Sequence, residues 1–429
     1  MTLDRTRWPE LLVGLDRVEV LEVVRGDTGR LHVAIETTDR VMGCTACGSR
    51  AVVKDRSKVV LTDLPAFGSP VRLVWMKRRW VCPEPDCGVG SFVEDRPDIA
   101  PGRAVMTTRA GLWATREVGA EVHTVAYAAA QLGVGWHTVM DTVTFWAEAL
   151  IEDPDRVGET EAVGVDETKF LAATRTEATQ WISAVCDVQE RKVIDVVKGR
   201  HSTGLDEWLD EQPVGWKEGV KVSVTDLHPP FRRTLAKHLP NATAVADPFH
   251  VVGVATRVVD RTRRRVQQET FGHRGRKHDP LYRSRKLLTV AEERLDDTGR
   301  AKLSGLLAAG DPNGEVHEAW AAKEATRNLY TMWDQEPAAR GWLNGLIADC
   351  RDGHSPEVRG MARTLAQWRE QILAWHTTGA SNGPVEGLNS MIKKVKRVAA
   401  GFRNLTNYRT RILLAVGGCN WSLLGTQPR

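Results

Sequence analysis

Asp166, Asp226 and Glu386 have the clearest capacity for chemistry in this chain. Asp166 closes the apolar run Ala162-Val163-Gly164-Val165, and Asp226 closes Val220-Lys221-Val222-Ser223-Val224-Thr225. Glu386 lies in the first turn of a strongly amphipathic helix near the carboxyl terminus. Carboxylates at adjacent strand ends, facing a third on a helix, can hold two divalent metal ions about 3.5–4 Å apart. Such a pair activates a water or hydroxyl and stabilises the leaving oxygen at a phosphodiester, which points to phosphoryl transfer on nucleic acid. Aspartate also ends strands because it suits turns, so the inference rests on the three acids jointly.

The helix around Glu386 sharpens it. Ser381 or Asn382 can cap this helix and Pro384 fits its first turn. Val385, Leu388, Ile392, Val395 and Ala399 form a stripe to bury, with Glu386, Asn389, Ser390, Lys393 and Arg397 on a neighbouring face. One helix thus presents a carboxylate, amide and hydroxyl groups, then cations suited to phosphates. The helix dipole alone would also favour a glutamate at this end.

The elements that must position these groups follow from pattern and punctuation. Strands are expected over Ala162–Asp166, Trp181–Val188 and Lys192–Lys198, with a hairpin turn at Asp187–Arg191. A helix over Gly204–Asp210, the strand ending at Asp226, a helix started by Pro229 and Pro230, and a strand over Ala242–Ala246 come next. Three antiparallel strands followed by alternating helices and strands imply a mixed sheet flanked by helices. From Val251 to Trp375 only helical periodicity is found, so an all-helical segment interrupts the α/β core. Its tryptophans, Trp320, Trp333, Trp342, Trp368 and Trp375, are expected to be core packing.

Two further modules precede this core. Cys44-Thr-Ala-Cys47 and Cys82-Pro-Glu-Pro-Asp-Cys87 are short-spaced thiol pairs that can close a tetrahedral structural zinc site. Cys186, Cys350 and Cys419 stand singly in apolar segments and read as core residues. Val125–Leu132, the turn Gly133-Val134-Gly135 and a helix from Trp136 to Trp146 have the spacing of a tight helix-turn-helix, with Ala129, Gly133 and Val139 at its key positions. In a DNA reader of this kind Trp136, His137, Thr138 and Asp141 lie near the exposed start of the second helix.

The net charge of +4 does not by itself argue for nucleic acid, but its distribution does. Arginines and lysines crowd Arg257–Lys286, among them Arg261, Arg264 and Arg265, and a second cluster is Lys393, Lys394, Lys396 and Arg397. Local cationic density suits a phosphate backbone; a solvated helix face is the bland alternative for either cluster. At 429 residues two to four domains are expected. No apolar stretch reaches the ~18 residues that span a bilayer, and the amino terminus lacks a signal-peptide core, so the expected location is the cytoplasm.

Taken together, the motifs resemble the bacterial insertion-sequence transposases of the ISL-three family, a branch of the DDE superfamily with an RNase H-like catalytic core. The resemblance is carried by the two cysteine pairs, the helix-turn-helix, Val163-Gly-Val-Asp-Glu167, Val224-Thr-Asp-Leu-His228, Ala246-Asp-Pro-Phe-His-Val251 and Gly383-Pro-Val-Glu-Gly-Leu-Asn389. The tail Gly401-Phe-Arg-Asn404 with Arg409 and Arg411 matches too. It implies a multidomain α/β protein: a zinc ribbon (1–105), a helix-turn-helix domain (106–155), an RNase H-like core in two parts (156–250 and 376–429) and a helical insertion (251–375). Asp166, Asp226 and Glu386 would bind two Mg2+ (or Mn2+) ions, with Asp247 and His250 auxiliary, and Cys44, Cys47, Cys82 and Cys87 would bind Zn2+. The expected reaction is hydrolysis at the element ends, then attack by the released 3′-hydroxyl on a second phosphodiester. The amino-terminal modules would recognise terminal inverted repeats and the arginines of the insertion would hold flanking or hairpin DNA. Joining two ends implies a homodimer or a larger synapse. The rival readings are an RNase H-fold nuclease without strand transfer and a transposase-derived DNA-binding regulator.

Overall fold

In the computed structural model, which describes residues 8–200 and 202–426, the chain forms two compact units: Met1–Arg156 with Met391–Arg429, and Val157–Ser390. The helix Gly383–Val398 contributes to both.

The first unit is built on β1 (Val18–Arg25), β2 (Leu31–Thr37), β3 (Met42–Gly43), β4 (Arg50–Ala66), β5 (Ser69–Val81) and β6 (Ser91–Val93). Their order is β1-β2-β5-β4-β3, with β6 paired to β5. β4 and β5 form a long hairpin of 17 and 13 residues. The charged stretch within Val52–Lys58 stays extended because its backbone pairs with β5 from Val81 to Met76, and Arg50 and Ala51 pair with β3. Apolar alternation on β5 buries Val71, Leu73 and Trp75 against Ile35, Leu61 and Ile99.

Helices Thr108–Gly119, Val125–Leu132, Trp136–Ile151 and Leu405–Val416 complete this unit. The Thr107 and Thr124 hydroxyls cap the first two by accepting from Ala110 and Tyr127 backbone N–H groups. Gly133 ends the second helix with φ 62°, the left-handed conformation that glycine adopts without strain, and a Cβ there would meet Pro70 Cβ at 3.0 Å. Ala129 and Val139 are both buried.

In the second unit, β7 (Ala162–Leu171), β8 (Gln180–Asp187) and β9 (Lys192–Lys198) form an antiparallel meander, and β10 (Val222–Thr225) and β11 (Thr243–Ala246) run parallel to β7. The order β11-β10-β7-β8-β9 puts β7 at the centre. Its run Ala162–Val165 is buried throughout. Val163 and Val165 pack on one face with Val185, Ile194, Leu209 and Phe231, and Gly164 meets Val385 and Val188 on the other, as a strand with parallel neighbours requires. The sequence-based strands are recovered to within a few residues. A helix at Val214–Gly219 was not expected; it begins directly after Pro213.

Between Val251 and Trp375 the described residues contain helices and no strand. The helix Pro248–Phe271 packs with Glu315–Leu329, Glu336–Asp352 and Pro356–Gln367 around Val258, Leu343, Met361 and Trp368. Not all the tryptophans are core. Trp368 is buried, whereas Trp333 and Trp342 are exposed: helical period places a residue on a face but does not say whether another helix covers it.

Gly164, on β7 two residues before Asp166, is the contact point for the Glu386 helix. A Cβ there would lie 2.4 Å from Val385 Cγ2 and 2.9 Å from Val188 Cγ2. Gly164→Ala is therefore expected to destabilise this unit by about 1–3 kcal/mol through overpacking, seen as a lower thermal unfolding midpoint. An unchanged midpoint would contradict this seating of the helix on the strand.

Candidate active site and zinc centre

Register brings three acids into one row. Across the parallel strands Val165 pairs with Thr225 and Thr225 with Ala246, so the next residues, Asp166, Asp226 and Asp247, follow side by side at a strand spacing of about 4.8 Å. Asp226 feels this crowding: burial raises its pKa, the Asp166 charge raises it further, and His250 opposes.

Asp247 is 2% exposed and its carboxylate is fully engaged. Oδ2 accepts the backbone N–H of His250 at 3.0 Å, capping the helix Pro248–Phe271, and faces His250 Nδ1 at 2.9 Å. Oδ1 accepts the backbone N–H of Asn382 at 2.8 Å, and the Asn382 carbonyl accepts from Glu386 N at 2.9 Å. Burial works against the ionised form of Asp247, but these bonds outweigh it and hold the pKa below the ordinary carboxylate value. The Asp247 hydrogen bond raises the His250 pKa, burial lowers it, and Asp226, Asp247 and Glu386 add to the rise as nearby charges.

Donor atoms of Asp247, His250 and Glu386 lie within 4.8 Å of one another. Asp166, Asp226 and Glu386 do not form a group that close among the described residues. The carboxylate-rich donor set suits a hard divalent cation, and a cation would relieve the crowding that raises Asp226.

Asn389, one turn after Glu386, is the functional candidate that sequence reasoning left on a mere neighbouring face. It is 2% exposed. Its Nδ2–H donates to Asp166 Oδ2 at 2.6 Å and its Oδ1 accepts from the Thr168 hydroxyl at 3.1 Å. The Glu386 helix is thereby pinned to the strand of Asp166 by a side chain that also orients that carboxylate. The i, i+3 spacing from Glu386 was the available signal; its partner was not legible. Next to Asp166 in the chain, Glu167 lies 3.5 Å from Arg200, which stacks over Trp181.

The four paired cysteines converge, with Sγ–Sγ separations of 3.6 Å for Cys44–Cys87 and 3.5 Å for Cys47–Cys82. A tetrahedron with metal–sulfur bonds of about 2.3 Å has edges of about 3.8 Å, so the residues fit zinc. The charges agree. The backbone N–H of Ser49 lowers the Cys47 thiol to about 6. Against the favourable backbone N–H of Glu84, burial and the neighbouring thiols push Cys82 up to about 12. Four clustered thiolates thus need a cation to coexist, and Cys44, Cys47, Cys82 and Cys87 form a structural zinc site. Cys186 and Cys350 are buried and Cys419 half-buried.

The other candidates are dispersed. Trp136 and His137 are exposed, as are Asp141, Lys393, Lys394 and Arg397, whereas Thr138 is half-buried. On the helix Pro248–Phe271, Arg261 is exposed and Arg264 pairs with Asp260 at 2.7 Å. Arg265 is held by Glu357 at 2.9 Å, Glu315 at 2.5 Å and Glu269 at 2.9 Å. A guanidinium enclosed by three carboxylates is occupied structurally.

This constellation of strand-end acids, a helix-borne glutamate and a cysteine-bound ribbon defines a class that comparison makes specific. Residues 163–412 match the transposase family of the ISL3 type with a DDE core, and residues 40–87 match the zinc finger of the IS204/IS1001/IS1096/IS1165 transposases. The chain belongs to this ISL3-type transposase family. It is 27% identical over 410 residues to the transposase for insertion sequence element IS1001 of Bordetella parapertussis, covering 94% of this chain and 95% of that one. It is 24% identical over 457 residues to the transposase for insertion sequence element IS1557 of Mycobacterium tuberculosis, covering 96% of each. Among the described residues no helix is long and apolar enough to cross a membrane.

Replacing Cys82 by Ser should remove the zinc that the purified wild-type protein carries and lower its melting temperature, with elemental analysis reading the metal directly. Full zinc content in the variant would remove Cys82 from the ligand set.

Proposed function

We propose that this transposase binds the terminal inverted repeats of its own insertion sequence, hydrolyses the phosphodiester at each end and joins the freed 3′-hydroxyl to target DNA. The observation that carries this reading is the register row Asp166–Asp226–Asp247, to which Asn389 and Asn382 tie the Glu386 helix. The strand order supports an RNase H-like core, whose central strand ends are the natural seat of such chemistry.

Asp166, Asp226 and Glu386 are the residues that would hold two divalent cations, magnesium or manganese. When bound, these supply Lewis-acid polarisation of the phosphodiester and a nucleophile at neutral pH. The chain's own groups do the rest. Asn389 fixes the Asp166 carboxylate through its N–H bond. Asp247 acts as a positioning residue, since its oxygens orient His250 and the start of the Glu386 helix. His250, held towards its protonated form, offers its remaining N–H to a phosphate oxygen. Lys393, Lys394 and Arg397 continue the same helix with cations for the DNA backbone, and none of them has an acidic partner among the described residues. In the helical insertion the exposed Arg261 takes that role in preference to the enclosed Arg265, and Arg264 does so only by exchanging its Asp260 partner for a phosphate. The helices Val125–Leu132 and Trp136–Ile151 act as a helix-turn-helix, with Trp136, His137, Thr138 and Asp141 towards the DNA. Two ends must meet, so the working form is a homodimer or larger synapse, acting in the cytoplasm on the bacterial chromosome.

The decisive comparison is excision of a marker flanked by the element's own ends. Glu386→Gln should abolish excision while leaving end binding intact; equal excision by both proteins would take Glu386 out of the site. If neither excises although both bind, a DNA-binding regulator becomes the better reading. Asn389→Ala should slow end cleavage by about 10–100-fold, the usual cost of losing a group that orients a metal ligand, and should raise the magnesium concentration needed for half-maximal cleavage. Unaltered magnesium dependence would leave Asn389 a purely structural residue.

A further inference from the structure

The tail motif Gly401-Phe402-Arg403-Asn404 has no part in the site described above, and its residues have separable jobs. Ala400 and Gly401 both have positive φ, 55° and 103°, and turn the chain after the helix Gly383–Val398. Phe402 packs on Tyr408 with ring centroids 4.6 Å apart and lies 5.7 Å beneath the Arg411 guanidinium. Arg411 is buried and donates to the His123 carbonyl at 2.8 Å. Asn404 caps the helix Leu405–Val416 by accepting from Asn407 N at 3.1 Å. Folding consumes three of the four motif residues. Arg403 remains, exposed and without an acidic partner among the described residues.

Arg403 borders a groove of about 660 Å³. Its lining includes Phe402, Arg403 and Asn407 from the tail and Trp136, His137 and Asp141 from the start of the helix Trp136–Ile151. Charge decides the occupant. From Gly387 to the end of the chain there is no aspartate or glutamate, while Lys393, Lys394, Lys396, Arg397, Arg403, Arg409 and Arg411 all fall there. Asp141 is the only acid among the groove residues, and an exposed carboxylate at a base-facing position can accept from a cytosine amine. Of these cations Arg403 and the buried Arg411 line the groove, and an exposed arginine in an acid-free tail beside a polar, tryptophan-bearing helix start fits a nucleic-acid backbone better than an apolar peptide.

We propose that the Gly401–Asn407 tail and the Trp136 helix form one composite duplex-DNA surface. Arg403 and Asn407 seat the sugar–phosphate backbone, and the Trp136 helix faces the base edges. This rests on the reading of the protein as a DNA transposase and adds the tail to its end-recognition surface. A phosphate contact positions the duplex without reading sequence, so its loss must act equally on all duplexes.

The test uses the full-length protein and fluorescence anisotropy, with a duplex carrying the element's end and a scrambled duplex, over a range of salt concentrations. Arg403→Gln should lower the slope of log affinity against log salt by about 0.9. At about 0.1 M salt that is a loss of about eightfold, the same on both duplexes. Arg403→Lys should keep the wild-type slope, and Asn407→Ala should weaken both duplexes alike at unchanged slope. An Arg403→Gln protein with wild-type melting temperature and wild-type slope overturns the proposal while the transposase reading stands, provided wild type binds the end duplex and Glu386→Gln still blocks excision. Failure of wild type to bind either duplex overturns both.

Discussion

The second unit turns on one buried carboxylate. Asp247 closes the last parallel strand, caps the longest helix of the unit, orients His250 and receives the backbone N–H at the start of the Glu386 helix. A carboxylate this deep is tolerated only when hydrogen bonds replace its lost hydration. Each charge-assisted bond to it contributes about 1.5–3 kcal/mol, and breaking any one leaves a buried donor unsatisfied. The three elements converging on Asp247 are therefore set by a single charge. The geometry around Glu386 is a consequence of it.

Asn389 completes the same logic from the other side. Asp247 fixes where the Glu386 helix begins, and Asn389 fixes the rotation of that helix about its axis by bonding both Asp166 and Thr168. Gly164 lets the helix approach closely enough for these bonds to form, since any side chain there would strike Val385. Two polar contacts and one missing Cβ thus convert a loose pairing of helix and strand into a defined arrangement, the preorganisation that charge-stabilising sites depend on.

The basic residues show how packing sorts groups of one chemical type. Arg265 and Arg261 lie four apart on one helix, yet Arg265 is enclosed by Glu269, Glu315 and Glu357 while Arg261 remains exposed. Arg411 is likewise committed to carbonyl oxygens in the core of its unit, whereas Arg403, eight residues earlier, is exposed. Cation density along a sequence therefore overstates the surface offered to a phosphate backbone. The arginines without carboxylate partners are those available to it.

Much was legible in the residues alone. Thiol pairs at short spacing announced the zinc site because four cysteines so placed have few other uses. Apolar runs ended by Asp166 and Asp226 announced strands, and proline marked the start of the helix around Glu386, because these signals act within a few residues of chain. The expected side-chain cap by Asn382 does not form, its buried amide having no hydrogen-bond partner. What lay beyond was whatever depends on partners distant in sequence: the row that brings Asp247 beside Asp226, the hold of Asn389 on Asp166, the burial of Trp368 against the exposure of Trp333 and Trp342, and the enclosure of Arg265. Local pattern encodes which face of an element is apolar and where the element stops. It does not encode strand register or which helix covers which face, and these tertiary choices decided which of the many charged side chains became a site.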